Sequence, residues 1–140
     1  MRKAVLYDSN TGNTKAMAEA IAEGARESGA EVIFGKVSDA DIETVLECDI
    51  LYLGCPAMGV EMVGDAQTDF CRAVNTRFRG RKIVLFGSYG RGDGMWIRAW
   101  ASWIKAYGGV VVNHPGTISY LHPDEAKLRE CRELGRNCFK

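Results

Sequence analysis

Short apolar runs alternate with helical segments along this chain, and that alternation admits few architectures. Strands are expected over residues 3–8, 31–37, 49–54, 82–88 and 109–112. Helices are expected over 14–28, 65–77, 95–107 and 123–138, with a short helical turn at 39–46. Ile50-Leu51-Tyr52-Leu53, Ile83-Val84-Leu85-Phe86 and Val110-Val111-Val112 are almost continuously apolar, as strands covered on both faces are. The more polar Glu31-Val32-Ile33-Phe34-Gly35-Lys36 suits a sheet edge. The expectation is an α/β fold, a doubly wound parallel sheet with helices on both faces, formed by residues 1–140 as one domain. Helix ends agree: Gly29 follows the first helix, and Pro123-Asp124-Glu125 opens the last. Trp96, Trp100, Trp103, Ile104 and Tyr107 share one face of the fourth helical segment, a stripe expected to pack on the sheet.

Between the first strand and the first helix lies Ser9-Asn10-Thr11-Gly12-Asn13-Thr14. A strand that feeds a hydroxyl-rich, glycine-containing turn at a helix N-terminus offers oriented amide and side-chain donors to a phosphate. The same residues can simply cap the helix. The turn contains no Lys or Arg and matches neither GxxxxGK[ST] nor GxGxxG.

Composition narrows the function classes. The five cysteines, at 48, 55, 71, 131 and 138, include no CxxC pair, so neither a zinc site nor a disulfide framework is indicated. Reduced thiols and the absence of a signal-peptide or membrane-length apolar run point to a soluble protein of the cytoplasm. The balance of 18 basic and 18 acidic residues hides an asymmetry: residues 1–70 carry 5 Lys and Arg against 13 Asp and Glu, the remainder the reverse. Such a chain is dipolar if its halves occupy different sides of the fold, and can then steer a charged partner. The basic run 77–82 falls where a helix ends, and cations suit a helix C-terminus, so it does not argue for nucleic acid. His114 and His122 lie in turn-like segments without metal-ligand spacing.

Ligands of open parallel sheets bind beyond the carboxyl ends of the strands. Two long loops lie there, Gly54-Cys55-Pro56-Ala57-Met58-Gly59-Val60-Glu61 and Gly87-Ser88-Tyr89-Gly90-Arg91-Gly92-Asp93-Gly94. Flanking a phosphate turn, they suggest a flat ligand held between backbones.

The turn at 9–14, the Ala57-Met58-Gly59 loop with Glu61, the Gly87-Ser88-Tyr89-Gly90 loop with Gly92-Asp93-Gly94, and Met95-Trp96 occur in an order and spacing that closely resembles the short-chain flavodoxins. The resemblance covers the whole chain. It implies a five-stranded sheet of order 2-1-3-4-5 and a noncovalently bound FMN that carries single electrons at low potential, cycling through semiquinone and hydroquinone. Ser9, Asn10, Thr11, Gly12, Asn13 and Thr14 would hold the phosphate. Ser88 and the backbone of Pro56, Ala57 and Tyr89 would lie near the ribityl chain, and Gly90 would continue that loop. Met58 would cover the inner ring face. The amides of Arg91, Gly92 and Asp93 would meet the pyrimidine oxygens, with the Glu61 carboxylate on flavin N3. Gly59 would allow a peptide rotation beside N5.

Three departures stand out. Pro56 sits where a serine hydroxyl can face the phosphate, Val60 replaces an acidic residue, and Arg91 replaces an aromatic that covers the outer ring face. From the residues alone, Met58 and Cys55 are also readable as core, and Glu61 and Arg91 as solvated. The resemblance implies partners that are redox enzymes, donor and acceptor, with no nucleic acid, no membrane and a monomeric state. The rival reading is an FMN-dependent NAD(P)H:quinone reductase, admitted by an outer face that Arg91 leaves open.

Overall fold

A computed structural model describes residues 1–59 and 61–140; Val60, one of the three departures, lies outside the described residues. Six strands form one parallel sheet: β1 (Arg2–Tyr7), β2 (Glu31–Lys36), β3 (Ile50–Gly54), β4 (Lys82–Tyr89), β5 (Val110–Val111) and β6 (Thr117–Tyr120). The order is β2-β1-β3-β4-β5, with β6 also pairing to β4. β5 and β6 meet β4 in succession, Lys82 against Val110 and Phe86 against Thr117, so they are two pieces of a broken fifth strand. The expected strand at 109–112 is therefore shorter than its apolar run, and Val110 is 49% exposed rather than covered on both faces. Residues 113–116 leave the ladder, and the chain rejoins it through Thr117-Ile118-Ser119-Tyr120, whose polar alternation hides a strand.

Helices α1 (Asn13–Glu27) and α5 (Glu125–Arg136) cover one face. The other carries α2 (Ile42–Val45), α3 (Asp65–Val74) and α4 (Met95–Ala106). Side-chain alternation builds both layers from the same strands: Ala4 and Leu6 enter one core, Val5 and Tyr7 the other. Trp96, Trp100 and Ile104 are fully buried and Trp103 and Tyr107 partly so, as the stripe requires. Three helical expectations shorten. The segment 65–77 gives way to a 3-10 turn at Asn75–Phe78, and 39–46 splits into a 3-10 turn at Val37–Asp39 and α2. The last helix begins after Asp124, whose carboxylate accepts the Lys127 amide at 2.8 Å.

The acidic and basic halves do not separate fully. Strand order puts β2, β1 and β3 on one side, yet α5 returns to lie beside α1, where Arg136 pairs with Glu27. In the basic run, Arg77 grips Glu43 through two bonds of 2.8 Å, while Arg81 donates to the Arg77 and Leu46 carbonyls. Among the described residues no helix is long and apolar enough to cross a membrane, and no cluster of metal-ligating side chains occurs.

Candidate functional site

At the switch point, β1 pairs with β2 on one side and β3 on the other, and the crossovers leave in opposite directions. The strand ends there need partners. Buried Gln67, from α3, donates its Nε2 to the Leu6 carbonyl at 3.1 Å and the Gly54 carbonyl at 3.0 Å. Gln67 thus ties β1 to β3 beneath the loops, a role its place in a helix of mixed polarity did not announce.

The 9–14 turn stands on that platform. Ser9 Oγ accepts the Gly12 amide at 3.1 Å and the Lys15 amide at 3.4 Å. Among the described residues, the amides of Thr11, Asn13 and Thr14 have no protein acceptor. Three free donors at the head of a 15-residue helix form an anion seat. Thr11 is exposed, Asn13 half-buried and Thr14 buried. The Thr14 hydroxyl shares a 2.8 Å hydrogen bond with Ser88 Oγ and accepts the Ser88 amide at 3.3 Å. It therefore locks the turn to the loop after β4.

The loop after β3 folds on itself: Met58 and Met62 exchange amide-to-carbonyl bonds of 2.8 and 2.7 Å across Gly59 and Glu61. Asn10 Nδ2 donates to Met58 Sδ at 3.2 Å, joining this loop to the turn. The Ala57 amide donates to the Ser88 carbonyl at 2.9 Å, tying the loop after β3 to the end of β4. Pro56 and Ala57 are half-buried, as is Met58. Cys55 is fully buried, and burial pushes its thiol up to about 12, the behaviour of a core residue rather than a redox thiol.

Helix α4 lacks a local cap, since its N-cap is Gly94 with no side-chain bond of its own. Glu61 supplies the missing acceptor from 33 residues away, its Oε1 taking the amides of Asp93 (3.1 Å), Gly94 (2.9 Å) and Met95 (2.8 Å). The Asp93 amide, expected to face a pyrimidine oxygen, is thereby engaged, because an uncapped helix end is the nearer demand. Gly92, at φ 81°, is the floor beneath that carboxylate: a Cβ there would lie 2.1 Å from Glu61 Cδ. Glu61 Oε2 has no protein partner among the described residues. Arg91 is exposed, whereas Tyr89 packs on Trp96 and Tyr120 with ring centroids 5.8 and 5.6 Å apart.

One wall escaped the sequence. The turn after β6 reaches both loops: the Leu121 amide donates to the Tyr89 carbonyl at 2.9 Å, and His122 Nδ1 lies 3.4 Å from Asn13 Oδ1. The weak strand signal at 117–120 concealed how this turn returns to the site.

A sequence profile described as flavodoxin matches residues 5–135. The flavodoxin of Clostridium beijerinckii is 45% identical over 133 residues, covering 94% of this chain and 95% of that protein. The flavodoxin of Megasphaera elsdenii is 38% identical over 138 residues, 97% of each. The solution structure of the two-electron reduced Megasphaera protein superposes with a TM-score of 0.85, over 97% of this chain and 96% of that one. A flavodoxin from the domain Archaea superposes at 0.87 with 26% identity, over 97% and 94% of the two chains.

Proposed function

This chain belongs to the flavodoxin family, and from that premise we propose that its three free turn amides at Thr11, Asn13 and Thr14 hold the phosphate of FMN. The protein is an electron carrier rather than an enzyme, and it exchanges electrons with redox partner proteins. FMN supplies the reversible one-electron chemistry; the polypeptide binds, orients and tunes.

The residues fit the group. The amides at the α1 N-terminus and the Ser9-centred turn suit a dianion, while the hydroxyl lock between Thr14 and Ser88 keeps the turn in register with the loop after β4. Asn10 and Gly12 complete the turn. Pro56, Ala57, Ser88 and Tyr89 border the path to the ring, with Met58 and Gly59 beside its inner face. Gly90, Arg91 and Gly92 border the outer side, and Arg91, which is exposed, is the group whose charge favours a more reduced, anionic ring. Glu61 Oε2 is free to accept a proton donor such as flavin N3–H while Oε1 stays on α4. We assign the whole of 1–140 to this single cofactor domain, acting as a monomer in the cytoplasm, a compartment that suits its five free thiols.

The observation that carries this reading is the set of free amides. Titration of the apoprotein with FMN and riboflavin, followed by flavin fluorescence, tests it. FMN should bind more tightly than riboflavin, and Thr14→Ala, which breaks the lock to Ser88, should narrow the difference by about tenfold, equivalent to ~1.4 kcal/mol for a lost buried hydrogen bond. Equal affinities in the parent protein would remove the phosphate assignment.

A further inference from the structure

The turn after β6 is held in an unfavourable conformation. Leu121 has φ 57°, a left-handed geometry that a branched side chain adopts only under constraint. The constraint is visible: its amide is bonded to Tyr89, its carbonyl accepts Ser119 Oγ at 3.3 Å, and the following buried Pro123 restricts His122 to extended backbone. The outcome of this strain is the placement of one side chain. His122 is carried over the head of α1, with Nδ1 3.4 Å from the side-chain carbonyl oxygen of Asn13.

We propose that His122 is a further cofactor-binding residue, one that fixes the Asn13 side-chain amide and, when protonated, gives the phosphate turn the positive charge that residues 9–14 lack. The inference rests on the phosphate assignment above. With Nδ1–H as donor, His122 would satisfy Asn13 Oδ1 and leave the Asn13 Nδ2 group as the donor available to the anion. Histidine is the side chain whose charge ordinarily changes between about pH 5 and 8.

The surrounding charges leave the imidazole to the phosphate. On the β1 side, Asp8 Oδ1 accepts the Ser9 amide at 3.1 Å. At the head of α5, Asp124 Oδ1 accepts the Lys127 amide at 2.8 Å, Glu125 pairs with Arg132 at 2.9 Å, and Lys127 pairs with Glu130 at 2.8 Å. On α1, Lys15 is exposed within the first turn, and Glu19 is exposed one turn further along. Among the described residues no carboxylate forms an ion pair with His122. A bound phosphate is then its natural counter-ion.

The test is the dissociation constant of FMN and of riboflavin for the apoprotein and for His122→Gln and His122→Lys, in phosphate-free buffer at about pH 5.5 and about pH 8. The FMN phosphate also gains charge across this range, and His122→Lys, whose own charge is constant, measures how much of any pH dependence comes from the phosphate. The parent should bind FMN about threefold more tightly than His122→Gln at the lower pH, the scale of a partly solvated ion pair, and the two should converge at the higher. His122→Lys, charged throughout, should keep the advantage at both. Riboflavin should bind all three alike, which also reports that each variant is folded. The proposal is overturned by a parent-to-Gln ratio independent of pH, or by the same change appearing with riboflavin. A parent that does not prefer FMN at either pH rejects the phosphate turn itself, an outcome distinct from an FMN preference in which His122 plays no part.

Discussion

Replacing Glu61 by Ala strips three amides at the head of α4 of their common acceptor. A lost cap costs about 0.5–2 kcal/mol and a hydrogen bond to a charged group about 1.5–3 kcal/mol, but the three bonds share one oxygen and the residue is only half-buried. A total near 2 kcal/mol is the reasonable figure, about 8 °C in Tm for a chain of this length. Glu61→Gln keeps the acceptor and loses the charge, for about 1 kcal/mol. Gly92→Ala attacks the same contact from below, since its Cβ would sit 2.1 Å from the Glu61 carboxyl carbon at a backbone φ of 81°. The left-handed conformation alone costs about 1 kcal/mol, and expelling the carboxylate adds the cap, for about 3 kcal/mol altogether. In the double variant the truncated side chain at position 61 no longer obstructs the new methyl group, so the cap is lost once. Its destabilisation should be about 3 kcal/mol where additivity requires about 5 kcal/mol, a coupling of about 2 kcal/mol. Urea unfolding of the four apoproteins measures the cycle, with no flavin present to obscure it. Additive losses, or a Glu61→Ala protein as stable as its parent, would refute the idea that this carboxylate caps α4 and that Gly92 exists to admit it.

Two further outcomes follow from the packing of the helices and the burial of the thiols. A Cβ at Gly135, on α5, would meet the Ile21 carbonyl oxygen of α1 at 2.0 Å, backbone that cannot swing aside, so Gly135→Ala should destabilise by about 3 kcal/mol despite its better helix propensity; a stabilised variant in a thermal melt would contradict that contact. Burial pushes the thiols of Cys55, Cys71 and Cys131 up to about 12 from 9.0. Because the folded values lie above the unfolded one, the stability is whole below about pH 9 and is lost as pH rises toward about 12, at about 1.4 kcal/mol per pH unit per thiol. Urea midpoints across that window should fall less steeply in Cys131→Ala, by one thiol's share, and an unchanged slope would dismiss the burial argument.

What the sequence disclosed and what it hid divide along a physical line. Continuous apolar runs such as Ile83-Val84-Leu85-Phe86 mark covered strands because burial on both faces leaves no room for alternation. The 9–14 turn is legible because a helix head must satisfy its amides locally or present them to a ligand. Long-range polar contacts carry no such local mark. Gln67 reads as an ordinary helical residue until the fold brings its side-chain amide onto the Leu6 and Gly54 carbonyls of two adjacent strands. Glu61 reads as a ligand group, yet the lack of a Ser, Thr or Asp at the cap position Gly94 was a clue that α4 needs a distant acceptor. The strand at Thr117–Tyr120 is short and half polar, so the return of Leu121 and His122 to the site stayed out of view.

The break in the fifth strand also bears on behaviour in concentrated solution. An uninterrupted Val-rich border would offer a row of unpaired amides and carbonyls on which another chain could add as a strand. Here β5 is two residues long and β6 four, and across the gap Asn113 imitates a strand residue, its Oδ1 accepting the Leu85 amide at 3.1 Å and its Nδ2 donating to the Leu85 carbonyl at 2.8 Å. The opposite border, β2, begins at Glu31 and ends at Lys36. With one margin too short to serve as a template and the other bracketed by charge, edge-to-edge aggregation is disfavoured, and encounters between molecules are left to the loops.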